Sequence, residues 1–353
     1  MVAHVLVTGG GGFIGSHLCA RLWAEGHRVT CLDNFDDFYS PAVKQENVRR
    51  LLTVAGTTGR MVCRQGDIRE HQLLQGLFQE EPIDLVIHLA ALAGVRPSIA
   101  RPLTYSEVNI QGTLNLLRLA VDEARSLGHP VRFLFPSSVA VYGLPDLETK
   151  RAAGKVPESA WLAPVTMYGC NKLYCEHLGR YFARHYRQLA AGEPSGVDFR
   201  AIRLPGLISA FTVPSGGTSD YAAEMIHAAA QRRPYACFVR EDTRIPFMAM
   251  PDAITALLAL LEAPVGSWTG AVYNVAAFSP SAGELAGLAR RAFPEARISF
   301  APDRRRQAIV DSWPEDVDDA PARRDWGFRP AYDLTRTFEE YLVPNIKQRY
   351  APR

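Results

Sequence analysis

Short aliphatic runs alternate along the chain with longer stretches in which apolar and polar positions are mixed. The clearest runs are Val5 to Val7, Val29 to Leu32, Leu85 to Leu89 and Val131 to Phe135. Unbroken apolar runs of this length read as strands covered on both faces, and the segments between them are long enough for crossover helices. The alternation predicts an α/β fold with a doubly wound parallel sheet. Proline and glycine become denser after about residue 205, in RLPGLISAFTVPSGGTSDYA. There we place the passage from a cofactor-binding domain (1–205) to a smaller, mainly substrate-binding C-terminal region (206–353). The boundary is soft, because the strand around Phe199 to Leu204 rejoins the first sheet. YRQLAAGEPSGVDF (186–199) reads as a surface loop before that strand, and no internal repeat breaks the pattern.

Bulk properties narrow the class of function. With 353 residues, 47% of them hydrophobic, the chain can build one large or two modest cores. Lys and Arg number 39 against 37 Asp and Glu, a formal charge of +2. That balance offers no field to gather nucleic acid or to hold a membrane surface, so a small-molecule substrate is the expectation. Cys19, Cys31, Cys63, Cys170, Cys175 and Cys237 include no CxxC, and the nine histidines no HExxH. Reduced thiols and no metal site are expected. The chain opens on the strand-like run Val2 to Thr8, and no apolar stretch approaches the ~20 residues that span a bilayer. A cytoplasmic location is expected.

The first chemical signal is VLVTGGGGFIGSHL. It sets Gly9, Gly12 and Gly15, with Phe13 and Ile14 between them, after a strand and at the start of a helix. Backbone N–H groups and the helix dipole there can meet a pyrophosphate, which side chains would keep away. Asp33 ends the next strand in VTCLD, placed to accept from an adenosine ribose, with Asn34 beside it. Asp33 repels a 2′-phosphate and no arginine adjoins it, so NAD is expected rather than NADP. Asp67 and Ile68 in GDI, and Leu89, Ala90 and Ala91 in HLAA, fall where later strand ends rim the same cofactor. His88 reads as a core histidine.

The second signal is VTMYGCNK, where Tyr168 stands four positions before Lys172 and shares its helix face. A nearby ammonium lowers a phenol from its usual ~10 towards neutrality and makes it a usable base. Upstream, FLFPSSVAVYG puts Ser137 and Ser138 at the end of an apolar strand, where a hydroxyl can hold a substrate oxygen.

Taken in order, TGGGGFIG, Asp33, HLAA, NIQGT (109–113), SSVAVYG and YGCNK resemble the extended short-chain dehydrogenase/reductase superfamily, in its NAD-dependent epimerase/dehydratase group. The resemblance spans nearly the whole chain. It implies a Rossmann-type sheet, Tyr168 as acid or base, Lys172 as its partner and ribose ligand, and Ser138 as the hydroxyl that positions the reacting oxygen. Asn109 matches a family asparagine near the cofactor; helix capping is its plain structural role. Pairing of the helices near Gly112 to Ala124 and Tyr168 to Tyr186 implies a homodimer.

The two halves resemble different branches. DNFDDFYSPAVKQENVRRLL (33–52) and AALAGVRPS (90–98) are similar to UDP-glucuronate and UDP-glucose 4-epimerases. From FPSSVAVYG onward, RLPGLISAFTVPSGGTSDYA, RIPFMAMPDA and RQAIVDSWPEDVDDAPARRDWGF are similar to short-chain L-threonine 3-dehydrogenases. RLPGLIS lacks the diphosphate-binding asparagine of nucleotide-sugar enzymes, whereas Gly216, Gly217 and Thr218 offer a turn with free donors and Trp313 closes a small pocket. This half implies Arg244 at the substrate, and Arg96 in AGVRPS fits the carboxylate of a uronate or an amino acid. The implied activity is NAD-dependent oxidation of a 3-hydroxy amino acid, with nucleotide-sugar 4-epimerisation as the alternative. Phe35 to Leu52 reads as surface packing, or else a lid or an extra helix beside the substrate mouth, Arg304 to Arg306 as a solvated turn with one residue reaching the pocket, and Met248 and Met250 as core or pocket wall.

Overall fold

The computed structural model describes residues 2–56, 58–186, 196–211, 217–266 and 269–351, and the backbone but not the side chain of Arg96. The apolar runs become strands because each feeds two cores at once. Val5 and Val7 enter one core and Leu6 the other; Leu85 and Ile87 oppose Val86, and Leu134 opposes Phe133 and Phe135. This is the period-two alternation of a pleated strand with both faces covered. Burying each such side chain contributes roughly 1.5–3 kcal/mol, so the double burial fixes the strand register.

Seven strands result: β1 (His4–Thr8), β2 (Arg28–Asp33), β3 (Met61–Gln65), β4 (Leu85–His88), β5 (Val131–Ser138), β6 (Val197–Leu204) and β7 (Val272–Asn274). All pair in parallel, in the order β7-β6-β5-β4-β1-β2-β3. Helices α1 (Gly15–Ala24) and α2 (Pro41–Ala55) pack on one face. On the other face lie α3 (His71–Glu80), α4 (Gly112–Leu127) and α5 (Met167–Arg184). The chain reverses direction between β1 and β4, which opens a crevice at the carboxyl ends of the strands. The doubly wound reading holds, and β7 shows the sheet also taking a strand from beyond residue 205. Most of the 186–199 loop lies outside the described residues.

A third core belongs to the later region. Helices α6 (Tyr221–Ala230), α7 (Met250–Glu262), α8 (Ala282–Ala292) and α9 (Arg304–Asp311) follow one another there. Of these, α7 joins α1 and α2 on the sheet, while α6 and α8 pack with Phe247, Trp313 and Tyr341. Met248 and Met250 are buried, as expected. Arg304 to Arg306 begin α9 rather than a turn, because Asp303 accepts the Arg305 and Arg306 N–H groups and caps the helix. Tyr168 packs against both the sheet core and the third core, on the seam between the two regions. Among the described residues no helix is long and apolar enough to cross a membrane, and no cluster of metal-ligating side chains is found.

Candidate active site

Parts of the chain distant in sequence meet in a cleft of about 1200 Å³. Phe13 and Ile14 line it from the glycine turn, Leu89 and Ala91 from the loop after β4, and Ser138, Tyr168 and Lys172 from β5 and α5. Gly217, Thr218 and Trp313 close it from the later region.

Helix α5 is started by two hydroxyls. Thr166 accepts the Gly169 N–H at 3.1 Å, and the buried Ser98 hydroxyl accepts the Tyr168 N–H at 3.3 Å, which satisfies two otherwise unpaired donors. A Cβ on Gly169 would strike the Ala140 carbonyl, so glycine lets the helix close on the turn after β5. That approach brings the phenol of Tyr168 to a hydrogen bond with Ser138. Lys172, one turn on, is buried; its Nζ donates to the Pro136 carbonyl at 2.7 Å, 4.5 Å from the Phe135 ring centre and 5.9 Å from that of Tyr168.

The expected acidification of Tyr168 is not found in the chain alone. Burial pushes the phenol up to about 12, with the Ser138 hydrogen bond acting in the other direction. Burial also holds the Lys172 ammonium down at about 8, against the raising influence of Cys175 and Glu176. The physical reason is desolvation of both groups, together with an ammonium committed to a carbonyl rather than to the phenol.

Ser137 and Ser138 divide their tasks as neighbours in a strand do. The Ser137 hydroxyl donates to Glu176 at 2.6 Å, inside a buried network, while Ser138 meets Tyr168. Glu176 sits one turn beyond Lys172 and forms a two-pronged pair with Arg203 at 2.9 and 2.6 Å, both side chains fully buried. Arg203 also donates to the Tyr142 hydroxyl at 2.8 Å, and Tyr142 donates to Asn274 at 2.8 Å. This network ties α5 to β5, β6 and β7 behind the reacting groups; the sequence reading missed it because its members lie far apart in the chain.

The cofactor side fits a dinucleotide. Gly9 has φ +70°, and a Cβ there would lie 2.7 Å from the Ala90 amide; one on Gly15 would strike the Gly9 carbonyl. A Cβ on Gly12 would lie 3.0 Å from the Gly9 carbonyl and 3.1 Å from the Tyr39 hydroxyl. Asp33 accepts from the Gly11 N–H at 3.1 Å and the Phe35 N–H at 2.8 Å, so its carboxylate stands at the turn. Asn34 donates to Asp67 at 3.0 Å, and Arg69 holds the Asp67 carboxyl below its usual range. Ile68 is core, pressed against Gly112. Ala90 donates to Thr8, and His88 is the core histidine expected, bonded to Thr8 at 2.8 Å and Thr113 at 2.9 Å.

Some expected ligands are not brought to the cleft. Asn109 spends its amide on both backbone groups of Leu92, at 2.8 and 3.1 Å. Arg244 donates to the Ser279 carbonyl and pairs with Glu284, each at 2.9 Å, and does not line the cleft. The Arg96 side chain and Gly216 lie outside the described residues. Arg306 does reach the site: its guanidinium donates to the Gly217 carbonyl at 2.8 Å.

A doubly wound sheet, a glycine turn facing an acidic strand end, and a Ser–Tyr–Lys set in one crevice define the nucleotide-dependent short-chain oxidoreductase class. Residues 5–276 match the model of the NAD dependent epimerase/dehydratase family, and the chain belongs to that family, with NAD as its cofactor. It is 34% identical over 272 residues to the mitochondrial L-threonine 3-dehydrogenase of Bos taurus, a match covering 76% of this chain and 66% of that protein, just under two thirds. The solved L-threonine dehydrogenase of Clostridium difficile superposes with a TM-score of 0.82 at 27% identity, over 99% of this chain and 98% of that one. UDP-glucose 4-epimerase of Thermotoga maritima, at 21% identity and a TM-score of 0.78 over 98% of each chain, shares the fold.

Proposed function

We propose that this protein is an NAD-dependent dehydrogenase of a 3-hydroxy amino acid, with L-threonine the first substrate to try. The observation that carries the reading is a pair of buried polar atoms in the cleft wall. Among the described residues Thr218 Oγ1 and Trp313 Nε1 have no hydrogen-bond partner, yet both residues line the cleft that holds Ser138 and Tyr168. Buried donors without partners cost stability unless a ligand takes them, and a compact solute with a carboxylate has the acceptors they lack. Resemblance of the later half to threonine dehydrogenases supports the same choice.

In this reading Ser138 and Tyr168 hold the substrate's secondary hydroxyl, and Tyr168 takes its proton as the alcohol becomes a ketone. Lys172 supplies positive charge to that corner of the cleft. Bound NAD, held at the glycine turn, would supply the acceptor for the hydride of the carbinol carbon and a cationic ring beside the buried phenol. L-threonine yields 2-amino-3-ketobutyrate. Residues 1–205 mainly serve the cofactor and 206–353 mainly the substrate.

The cleft's size, with Arg101 and Arg349 among its lining residues, supports a second reading as a nucleotide-sugar 4-epimerase. Against it, Arg349 already donates to the Phe211 carbonyl at 2.8 Å. Purified protein and NAD are incubated in parallel with L-threonine, other 3-hydroxy amino acids, UDP-glucose and UDP-glucuronate, with product analysis. Steady NADH formation with an amino acid is expected; inert amino acids and interconverted sugars without net NADH would reverse the assignment. We further propose a cytoplasmic homodimer joined through α4 and α5. Tyr174 and Tyr181, two turns apart on α5, are 51% and 47% exposed, and light scattering measures the mass.

A further inference from the structure

We infer that Tyr39 is a ligand of the cofactor, its hydroxyl donating to the pyrophosphate of bound NAD, and that the segment from Phe35 to Ala55 holds it over the glycine turn. The Tyr39 hydroxyl oxygen is buried and has no hydrogen-bond partner meeting normal geometry. It stands 3.1 Å from where a Cβ on Gly12 would be, so it lies directly over the glycine turn, and Tyr39 itself lines the cleft beside Phe13 and Ile14. The Phe13 backbone N–H points towards the same oxygen. Burial and the Asp33 carboxylate push the phenol above its ordinary range, so at neutral pH it keeps its proton and remains a donor. A donor hydroxyl beside amide donors at the first turn of α1 calls for an acceptor, and a phosphate oxygen is one.

The surrounding segment is built to hold this ring. Lys44, itself buried, places Nζ 4.6 Å from the ring centre and donates to the Asp36 carbonyl at 2.8 Å. Asn47 on α2 donates to the Gly11 carbonyl at 3.0 Å, tying the helix to the turn it covers. Val48, Leu51 and Ala55 seat α2 in the sheet core, and the Phe38 ring closes on Gly94. Among the described residues no hydrogen bond joins the phenol to Asp33, whose oxygens accept from Gly11 and Phe35. The segment expected to be surface packing, a lid or an extra helix thus carries helix α2 and forms a wall of the cleft.

The test is equilibrium binding to the full chain, wild type against Tyr39→Phe, by calorimetry with NAD, ADP-ribose and adenosine. A lost hydrogen bond to a charged group weakens affinity about ten- to hundredfold. That loss is expected for NAD and ADP-ribose, with adenosine binding and the melting temperature of the free protein unchanged. Equal NAD affinity in the variant overturns the inference, because the ring alone then suffices. Equal weakening of all three ligands also overturns it, because the hydroxyl then shapes the loop rather than meeting phosphate. The measurement needs no substrate, so it stands whether or not threonine is oxidised.

Discussion

The glycine turn after β1 and the turn that leads into α6 both face the cleft, and they are held in different ways. Gly9 to Gly15 are fixed mainly through backbone groups, of the turn itself and of the adjacent strand: the Gly9 and Gly10 amides reach Leu32 of β2, and the Gly12 amide reaches Gly9. Gly217 and Thr218 depend on partners elsewhere. The Gly217 amide donates to Asp220 at 2.6 Å, its carbonyl accepts from Arg306 of α9, and the Thr218 hydroxyl is unpaired. One turn is a consequence of strand, glycine and helix in succession; the other is assembled across the third core. Cofactor chemistry here is therefore local and tied to folding, while substrate chemistry is remote and open to change.

Between the two turns stands Tyr168, and its removal separates them most sharply. Tyr168→Phe deletes the group that takes the proton and is expected to lower kcat by about 10²- to 10⁴-fold, the range for general-base catalysis. NAD affinity, measured by fluorescence, is expected to stay within a few-fold. A variant that keeps wild-type turnover would show that the phenol is not the base.

This contrast also explains what the sequence could and could not convey. The strands β1, β2, β4 and β5, the glycine turn, Asp33 and the Tyr168–Lys172 pair are short-range patterns, each dictated by neighbours within a few residues. Nothing local in the sequence tells that the Arg244 guanidinium goes to Ser279 and Glu284. For Asn109 both readings stay open in sequence, because an asparagine facing the cofactor and one bridging the Leu92 backbone look identical there; the structure shows the Leu92 bonds. The Tyr-x-x-x-Lys spacing shows a shared face but not the burial that desolvates both groups in the chain alone. Tyr39 was missed because the insert that carries it has no obvious partner until α2 is seen against the turn.

The network behind the site tests how far folding and catalysis are joined on the cofactor side. Glu176→Gln leaves the Arg203 guanidinium buried without its counter-charge, and breaking a buried pair in this way costs roughly 3–5 kcal/mol. Urea denaturation is expected to show that loss in the single variant and a substantial recovery in Glu176→Gln/Arg203→Met, which removes both charges. A single variant as stable as wild type would mean that solvent reaches the pair.

Changes on the substrate side are expected to be gentler and to spare the fold. Thr218→Val and Trp313→Phe each remove one donor while keeping most of the volume, and each is expected to raise KM for the amino acid about five- to thirtyfold, the effect of one neutral hydrogen bond or somewhat more. Melting temperatures should hold or rise slightly, since a buried donor without a partner in the free chain is deleted. Unchanged KM in both variants would remove these groups from the substrate site.

The smallest effect concerns His88, the one charge switch beneath the cofactor turn. Burial, with Lys172 adding to it, holds the imidazole down at about 3, far below its usual 6.5. The unfolded chain therefore binds the proton more readily than the folded one, and stability falls as the medium is acidified. The loss begins as pH passes below 6.5 and runs on towards 3. Between pH 7 and pH 6 this amounts to about 0.7 kcal/mol for a single site with those two values. In His88→Gln that contribution is absent, so the slope of unfolding free energy against pH should flatten by that amount across the interval, whatever the variant's absolute stability. Identical slopes for the two proteins would mean that His88 takes up its proton as readily in the fold as in the unfolded chain, so that burial does not hold it neutral.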